Sequence, residues 1–259
     1  MTASSWLVGA SGLLAVLAAL TLLWLVSLQL RDASIVDPFW GPGFALATLT
    51  YWLVDGRHGA RGTLVLVLVA LWAARLGWHL LRRNRREGED PRYAAMRARH
   101  GERWSRVSLF RVFWLQGVIL WIISMPLLAA VRSSGPIGAL DFIGAALALI
   151  GLTAEATADR QLRRFRADPA SRGRVLDTGL WRYSRHPNYF GDAVVWWGLW
   201  IVAAGAGAWW TVFSPAAMTF LLLKVSGVPL LEKGLEKSRP GYGEYARRTS
   251  AFVPWLPKQ

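Results

Sequence analysis

The chain has 259 residues, 54% of them hydrophobic, with 16 tryptophans, no cysteine and a formal net charge of +14. That apolar fraction and tryptophan load fit a polytopic membrane protein, because tryptophan favours bilayer interfaces, and they exclude an ordinary soluble domain. The lack of cysteine excludes disulfides, thiolate metal sites and cysteine nucleophiles, and the basic charge lies between apolar runs, which argues against nucleic acid as a partner.

A helix needs about 20 apolar residues to cross a bilayer. Seven stretches approach that length: 6–28, 39–54, 64–81, 113–131, 142–158, 189–205 and 209–231. The first run has no basic region before it and reads as a span, not a cleavable signal peptide. The second is short and opens on Pro38, Gly41, Pro42 and Gly43. A few small residues join the last two, which predicts a tight helical hairpin. The expected fold is all-α, with seven transmembrane helices in a single domain over residues 1–259. No repeat or linker interrupts it.

Basic residues orient this arrangement. Segment 82–111 holds 10, segment 160–185 holds 8 and the tail from Lys224 holds 7, whereas loop 55–62 holds only Arg57 and Arg61. The positive-inside rule then predicts an outside N-terminus and a cytoplasmic C-terminus. The expected location is a bacterial inner membrane.

The polar clusters follow in chain order. Asp37 lies in SIVDPFWGPGF at the start of the second span; it could cap a turn, or hydrogen-bond and protonate a substrate carbonyl if its pKa is raised. Arg75, Trp78 or His79, Arg82 or Arg83, and Arg86 make a basic face, with Glu89, Asp90, Arg92 and Tyr93 following in EGEDPRYAAM. Arg75 falls well inside the third predicted span, where a charge must be used. Asp159, Arg163 and Arg166 share a helix face at i, i+4 and i+7, and Arg174 follows in SRGR. Arginine suits phosphate because its planar fork binds two oxygens; a basic face meeting anionic lipid headgroups is the competing reading.

The richest stretch is LDTGLWRYSRHPNYFGD, residues 176–192. Arg185, Asn188, Asp192 and Trp196 fall at i, i+3, i+7 and i+11, which puts them on one face of a helix. His186 and Pro187 sit where that helix begins, and its free amides attract anions. In the tail, Glu232 and Glu236 are one turn apart, and Tyr242 and Tyr245 could bound the same site. GxGxxG, GxxxxGK[ST] and HExxH signatures are missing. The four histidines do not cluster, so no metal site is expected.

RHPNYFGD, the TGLWRYSR before it, the tail SGVPLLEK and EYARRTSAFVPW, DxFWG at 37–41 and EDxRY at 89–93 together resemble the DUF1295 family. That family belongs to the steroid 5-alpha-reductase-like superfamily. The resemblance implies a seven-helix membrane enzyme that binds NADPH from the cytoplasmic side. It reduces a carbon–carbon double bond conjugated to a carbonyl in a steroid-like or other lipid substrate. Asp159, Leu162 and Arg166 then match positions that hold the adenosine and its phosphates, with Arg163 on the same face. Arg174 matches a phosphate-contacting arginine. Asn188 and Asp192 match the pair beside the nicotinamide, with Trp196 nearby and Arg185 and His186 at the helix start. Arg83 or Asn84, with Arg86, falls at the pyrophosphate, and Glu232 and Glu236 replace a histidine and a tyrosine that line the cofactor.

The chain departs from the steroid reductases at the substrate end. It lacks their Gln–Glu pair early in the second span and has Asp37 instead. The tyrosine that partners their Glu aligns near Trp72. Asp37 and Tyr189 are the catalytic expectations, Tyr189 as proton donor. The alternative within the superfamily is an S-adenosylmethionine-dependent methyltransferase of the isoprenylcysteine or phospholipid type; several arginines favour the three phosphates of NADPH over a methyl donor that has none. A lipid-binding scaffold is the non-enzymatic reading. The bilayer and a lipid-like small molecule are the expected partners, and a monomer suffices.

Overall fold

The computed structural model describes residues 4–225, 232 and 239–258, and every regular element among them is helical. The chain divides into two compact units, Met1–Asp141 with Val202–Thr211, and Phe142–Ile201 with Val212–Gln259.

In the first unit, α1 (Ser5–Leu30) is apolar almost throughout; the Ser4 hydroxyl caps it by accepting from Leu7 N at 3.3 Å. A 3-10 turn at Ser34–Phe39 leads into α2 (Trp40–Asp55), and α3 (Ala60–Glu87) follows. A helical run then continues from Pro91 to Ile123. It is made of α4 (Pro91–His100), α5 (Trp104–Ser108), a π-helical stretch at Leu109–Trp114 and α6 (Leu115–Ile123). Ser124 ends it, and Pro126 opens α7 (Met125–Val131). The predicted continuous span at 113–131 is therefore two helices, because a proline in a first turn cannot donate to the ladder before it.

α2 packs on both α1 and α3. Gly41 permits the second contact: a Cβ there would come within 2.9 Å of the Ala73 Cα, the close backbone approach that small residues give membrane helices. Indole N–H groups tie α1 to the long helical run. Trp24 donates to Ser105 O at 3.1 Å, Trp114 to Thr21 Oγ1 at 3.0 Å and Trp121 to Gly9 O at 2.9 Å. Each satisfies a polar atom that burial would otherwise strand. Phe44, Tyr51, Trp72 and Phe113 fill the interior.

The second unit contains most of α8 (Ala139–Ala167) and of α9 (Pro187–Gly205). It also holds α10 (Phe213–Phe220), extended by a π-helical turn to Val225, and α11 (Tyr242–Arg248). α8 and α9 meet main chain to main chain. A Cβ on Gly151 would lie 2.6 Å from Gly191 O, one on Gly191 2.7 Å from Glu155 N, and one on Gly198 2.5 Å from Ala148 N. This glycine and alanine seam fixes the register of the two helices. On the return side, Trp197 Nε1 donates to Thr219 Oγ1 at 3.3 Å.

Among the described residues, four helices are long and apolar enough to cross a membrane: Ser5–Leu30, Ala60–Arg85, Pro91–Ile123 and Ala139–Ala167. Large apolar side chains on them stay exposed, including Leu14, Leu22 and Phe142, as lipid-facing positions require. α2 has only 16 residues. α9 has 19 but carries Asn188 and Asp192 in its opening turns, which dilutes its apolar character. α8 runs on past Ala158, so Asp159, Arg163 and Arg166 ride on the same rigid helix as its apolar part.

Candidate functional site

In the second unit, the α8–α9 seam brings two polar side chains together. Asn188 Nδ2 donates to Asp159 Oδ1 at 3.1 Å. Asp159 is 3% exposed, so this donor partly offsets the desolvation of its carboxylate. Asn188 Oδ1 is buried with no hydrogen-bond partner among the described residues.

His186, 2% exposed, sits just before α9. Its Nε2 lies 3.1 Å from Glu232 Oε1. A carboxylate only accepts, so the proton belongs on Nε2 and Nδ1 is left as an acceptor. Nδ1 too is buried without a hydrogen-bond partner among the described residues. Burial pushes the His186 pKa below its ordinary value, and Glu232 opposes this. The Tyr189 ring stacks on His186 at 5.7 Å and 6°.

Arg185 does not share the face of Asn188, Asp192 and Trp196, because α9 begins only at Pro187. Its Nε is 3.0 Å from Glu232 Oε1, off hydrogen-bond alignment, and Nη1 donates to Ala246 O at 2.9 Å. The backbone also holds it, through Arg185 N to Ser250 O at 2.9 Å. The Tyr245 hydroxyl donates to Trp181 O at 2.6 Å, and burial raises its pKa.

Around these groups lies a cavity of about 120 Å³ whose lining includes Leu162, Arg166, Arg174, Arg185, His186 and Asn188. Arg239, Tyr242 and Tyr245 close it from the tail. Small-molecule sites usually run from about 300 to 1,000 Å³, so the enclosed part takes a fragment of a larger ligand. Exposed Arg166 and Arg174 stand at its rim. Asp159 and Glu232 support the lining through Asn188 and His186. Asp192 and Trp196, both buried, lie further along α9, and Arg163 is exposed on α8. Glu155, one turn before Asp159, is also buried. The sequence reading passed over it, although an acid inside an apolar span is itself a functional signal. Glu236 lies outside the described residues.

The first unit holds a separate cluster at Asp37. The Tyr93 hydroxyl donates to Asp37 Oδ1 at 2.9 Å, and Arg92 Nη2 stands 3.7 Å from Oδ2. Gln116 Nε2 donates to the Tyr93 oxygen at 3.4 Å, and Trp40 Nε1 donates to Gln116 Oε1. The donors form a chain that ends on the carboxylate. Burial raises the Asp37 pKa, with Tyr93 and Arg92 opposing. Sequence reading placed Tyr93 in a motif without a role and missed Gln116, because the partners come from three separate helical segments. Asn84 Nδ2 donates to Ser34 O at 2.8 Å, and so braces the turn that carries Asp37. Arg83 is half-buried on α3; Arg86 lies on the same helix, its side chain outside the described residues.

The helices and their buried polar clusters define an all-helical protein of integral-membrane type. The chain belongs to the family described as "Protein of unknown function (DUF1295)", whose model matches residues 23–249. It is similar to an uncharacterized protein of Schizosaccharomyces pombe, at 28% identity, covering 90% of this chain and 76% of the relative. No solved structure matches it.

Proposed function

We propose that this protein is an NADPH-dependent membrane reductase acting on a carbon–carbon double bond conjugated to a carbonyl in a lipid-like or steroid-like substrate. The supporting observation is the pair of buried acceptors, His186 Nδ1 and Asn188 Oδ1, beside arginines Arg166 and Arg174. Two stranded acceptors cost about 1–3 kcal/mol each unless a ligand meets them. An NH2 group supplies two donors, and both ends of a dinucleotide carry one, in the carboxamide and in the adenine. The arginines complement its phosphates. When bound, NADPH supplies hydride.

The chain's own residues have distinct tasks in this reading. Asp159 orients Asn188, and Glu232 sets the His186 tautomer. Arg166 and Arg174 grip phosphate, with Arg163 adding positive charge. Asp192 and Trp196 shape the wall along α9. Asp37, whose ionised form burial disfavours, polarises the substrate carbonyl together with Tyr93. The ring of Tyr189 packs on His186, and Tyr93, which donates to Asp37, is a second candidate proton donor beside it. The reading includes seven spans, with α2, α9 and the helix from Trp209 completing the four long ones, and a nucleotide site facing the cytoplasm.

Thermal denaturation of the detergent-solubilised protein tests this. NADPH is expected to raise the midpoint clearly and NADH much less. Equal shifts, or a shift with S-adenosylmethionine alone, would refute the assignment.

A further inference from the structure

We propose that the C-terminal tail forms a binding site for an anionic glycerophospholipid, on the other side of Tyr245 from the nucleotide cavity, Tyr245 lining both. Trp255 and Leu256 are 72% and 74% exposed, yet their main chain is held firmly. Trp255 N donates to Tyr183 O and Lys258 N to Arg248 O, both at 2.9 Å. The exposed apolar side chains are thus presented by a fixed backbone.

Two hollows adjoin along this tail. One, of about 530 Å³, is lined by the cations Arg182, Arg248 and Lys258, by Thr178, Thr249 and Tyr245, and by one acid, Asp177. Arg248 also stands 3.8 Å from the exposed Glu244. The other, of about 330 Å³, is apolar and lined by Tyr183, Pro254, Trp255 and Leu256. Residues 182 and 183 are consecutive, as are 254–258, so the basic hollow and the apolar groove are carried by the same two backbone segments. A phosphate head with an attached acyl chain matches that order. A free anion uses only the first hollow and a neutral lipid only the second.

The site lies next to apolar helices. The Phe252 ring packs edge-on against Phe190 in the first turn of α9, at 5.7 Å, and Trp181 Nε1 donates to Ala158 O on α8 at 3.1 Å. Tryptophan at such a boundary suits the bilayer interface, and each basic residue near an anionic leaflet adds attraction.

Native mass spectrometry and thermal melts of the full chain in detergent test the proposal, with phosphatidylglycerol, phosphatidylcholine or inorganic phosphate added. Phosphatidylglycerol is expected to remain bound and raise the midpoint, and the other two to do neither. Arg182→Gln with Arg248→Gln should lower retention about fivefold per charge removed. Trp255→Ala should lower it while the chain stays folded by circular dichroism. If the arginine variant fails to fold, Lys258→Gln on the exposed tail gives the same reading. Equal retention of both lipids, a full shift with phosphate alone, or unchanged retention in the folded variants would overturn the proposal.

Discussion

Asn188 on α9 and Asp159 on α8 meet at 3.1 Å because the helices that carry them touch through Gly151, Gly191 and Gly198. Asn188→Ala removes the donor to a buried carboxylate and is expected to destabilise by about 1–3 kcal/mol. It should also abolish the NADPH shift in thermal melts. A variant that melts lower but keeps the full shift would separate the pair from nucleotide binding.

The seam itself can be tested without any ligand. Gly198→Val places a side chain where a Cβ already meets Ala148 N at 2.5 Å. Overpacking of this kind costs about 1–3 kcal/mol or more, so the thermal midpoint should fall. Gly243→Ala in α11 is the control. A Cβ there meets nothing within 4 Å, and alanine is the better helix former, so its midpoint should hold or rise.

Asp37→Asn and Tyr93→Phe should each lower turnover sharply while leaving the NADPH shift intact. The sign for stability differs from that for activity. Burial raises the Asp37 pKa, so its ionised form is disfavoured in the folded state. Its stabilising contribution is complete below the ordinary carboxylate pKa and is lost as pH rises through the folded value. Asn removes that loss, and the midpoint near neutral pH should not drop. Full turnover in Tyr93→Phe would return the proton-donor role to another group.

Burial lowers the His186 pKa, which makes acid the weak side. The unfolded chain takes up this proton near the ordinary histidine value; the folded chain resists it until lower pH. The stability due to His186 is therefore present above about 6.5 and declines as pH falls below it. Melts from about pH 7 down to 5 should show a steeper decline for the wild type than for His186→Gln.

Arg61 and Asp141 form a nearly inaccessible ion pair at 2.7 Å, at 3% and 0% exposure, and Arg61 Nη2 also donates to Pro136 O at 2.7 Å. Arg61→Ala leaves a buried carboxylate without its partner and should cost about 3–5 kcal/mol. The NADPH shift, measured on whatever folds, should persist.

α1, α3 and α8 were legible in the sequence because each is a long apolar run. The end of α8 was not: charge arrives at Asp159, and hydropathy reads it as a boundary although the hydrogen-bond ladder continues. The break at Ser124 was hidden by apolar neighbours, with Pro126 its one trace. Among the polar groups, the spacing of Asn188, Asp192 and Trp196 matches the helix that carries all three. It failed for Arg185, which precedes the first helical turn. Tyr93 lies 56 residues from Asp37 and 23 from Gln116, and no periodicity links such distances. The same holds for Arg61 and Asp141, which are 80 residues apart.

Where Gly151, Gly191 and Gly198 meet the neighbouring backbone, there are no rotamers to readjust. If bilayer thickness or temperature changes, a leucine-packed pair of helices can slide while its side chains reshuffle, but α8 and α9 would have to lift apart before either could shift by a turn. The spacing of Asp159 and Asn188 is therefore buffered against the lipid composition of the host membrane, and tolerance of lateral pressure is built into the backbone.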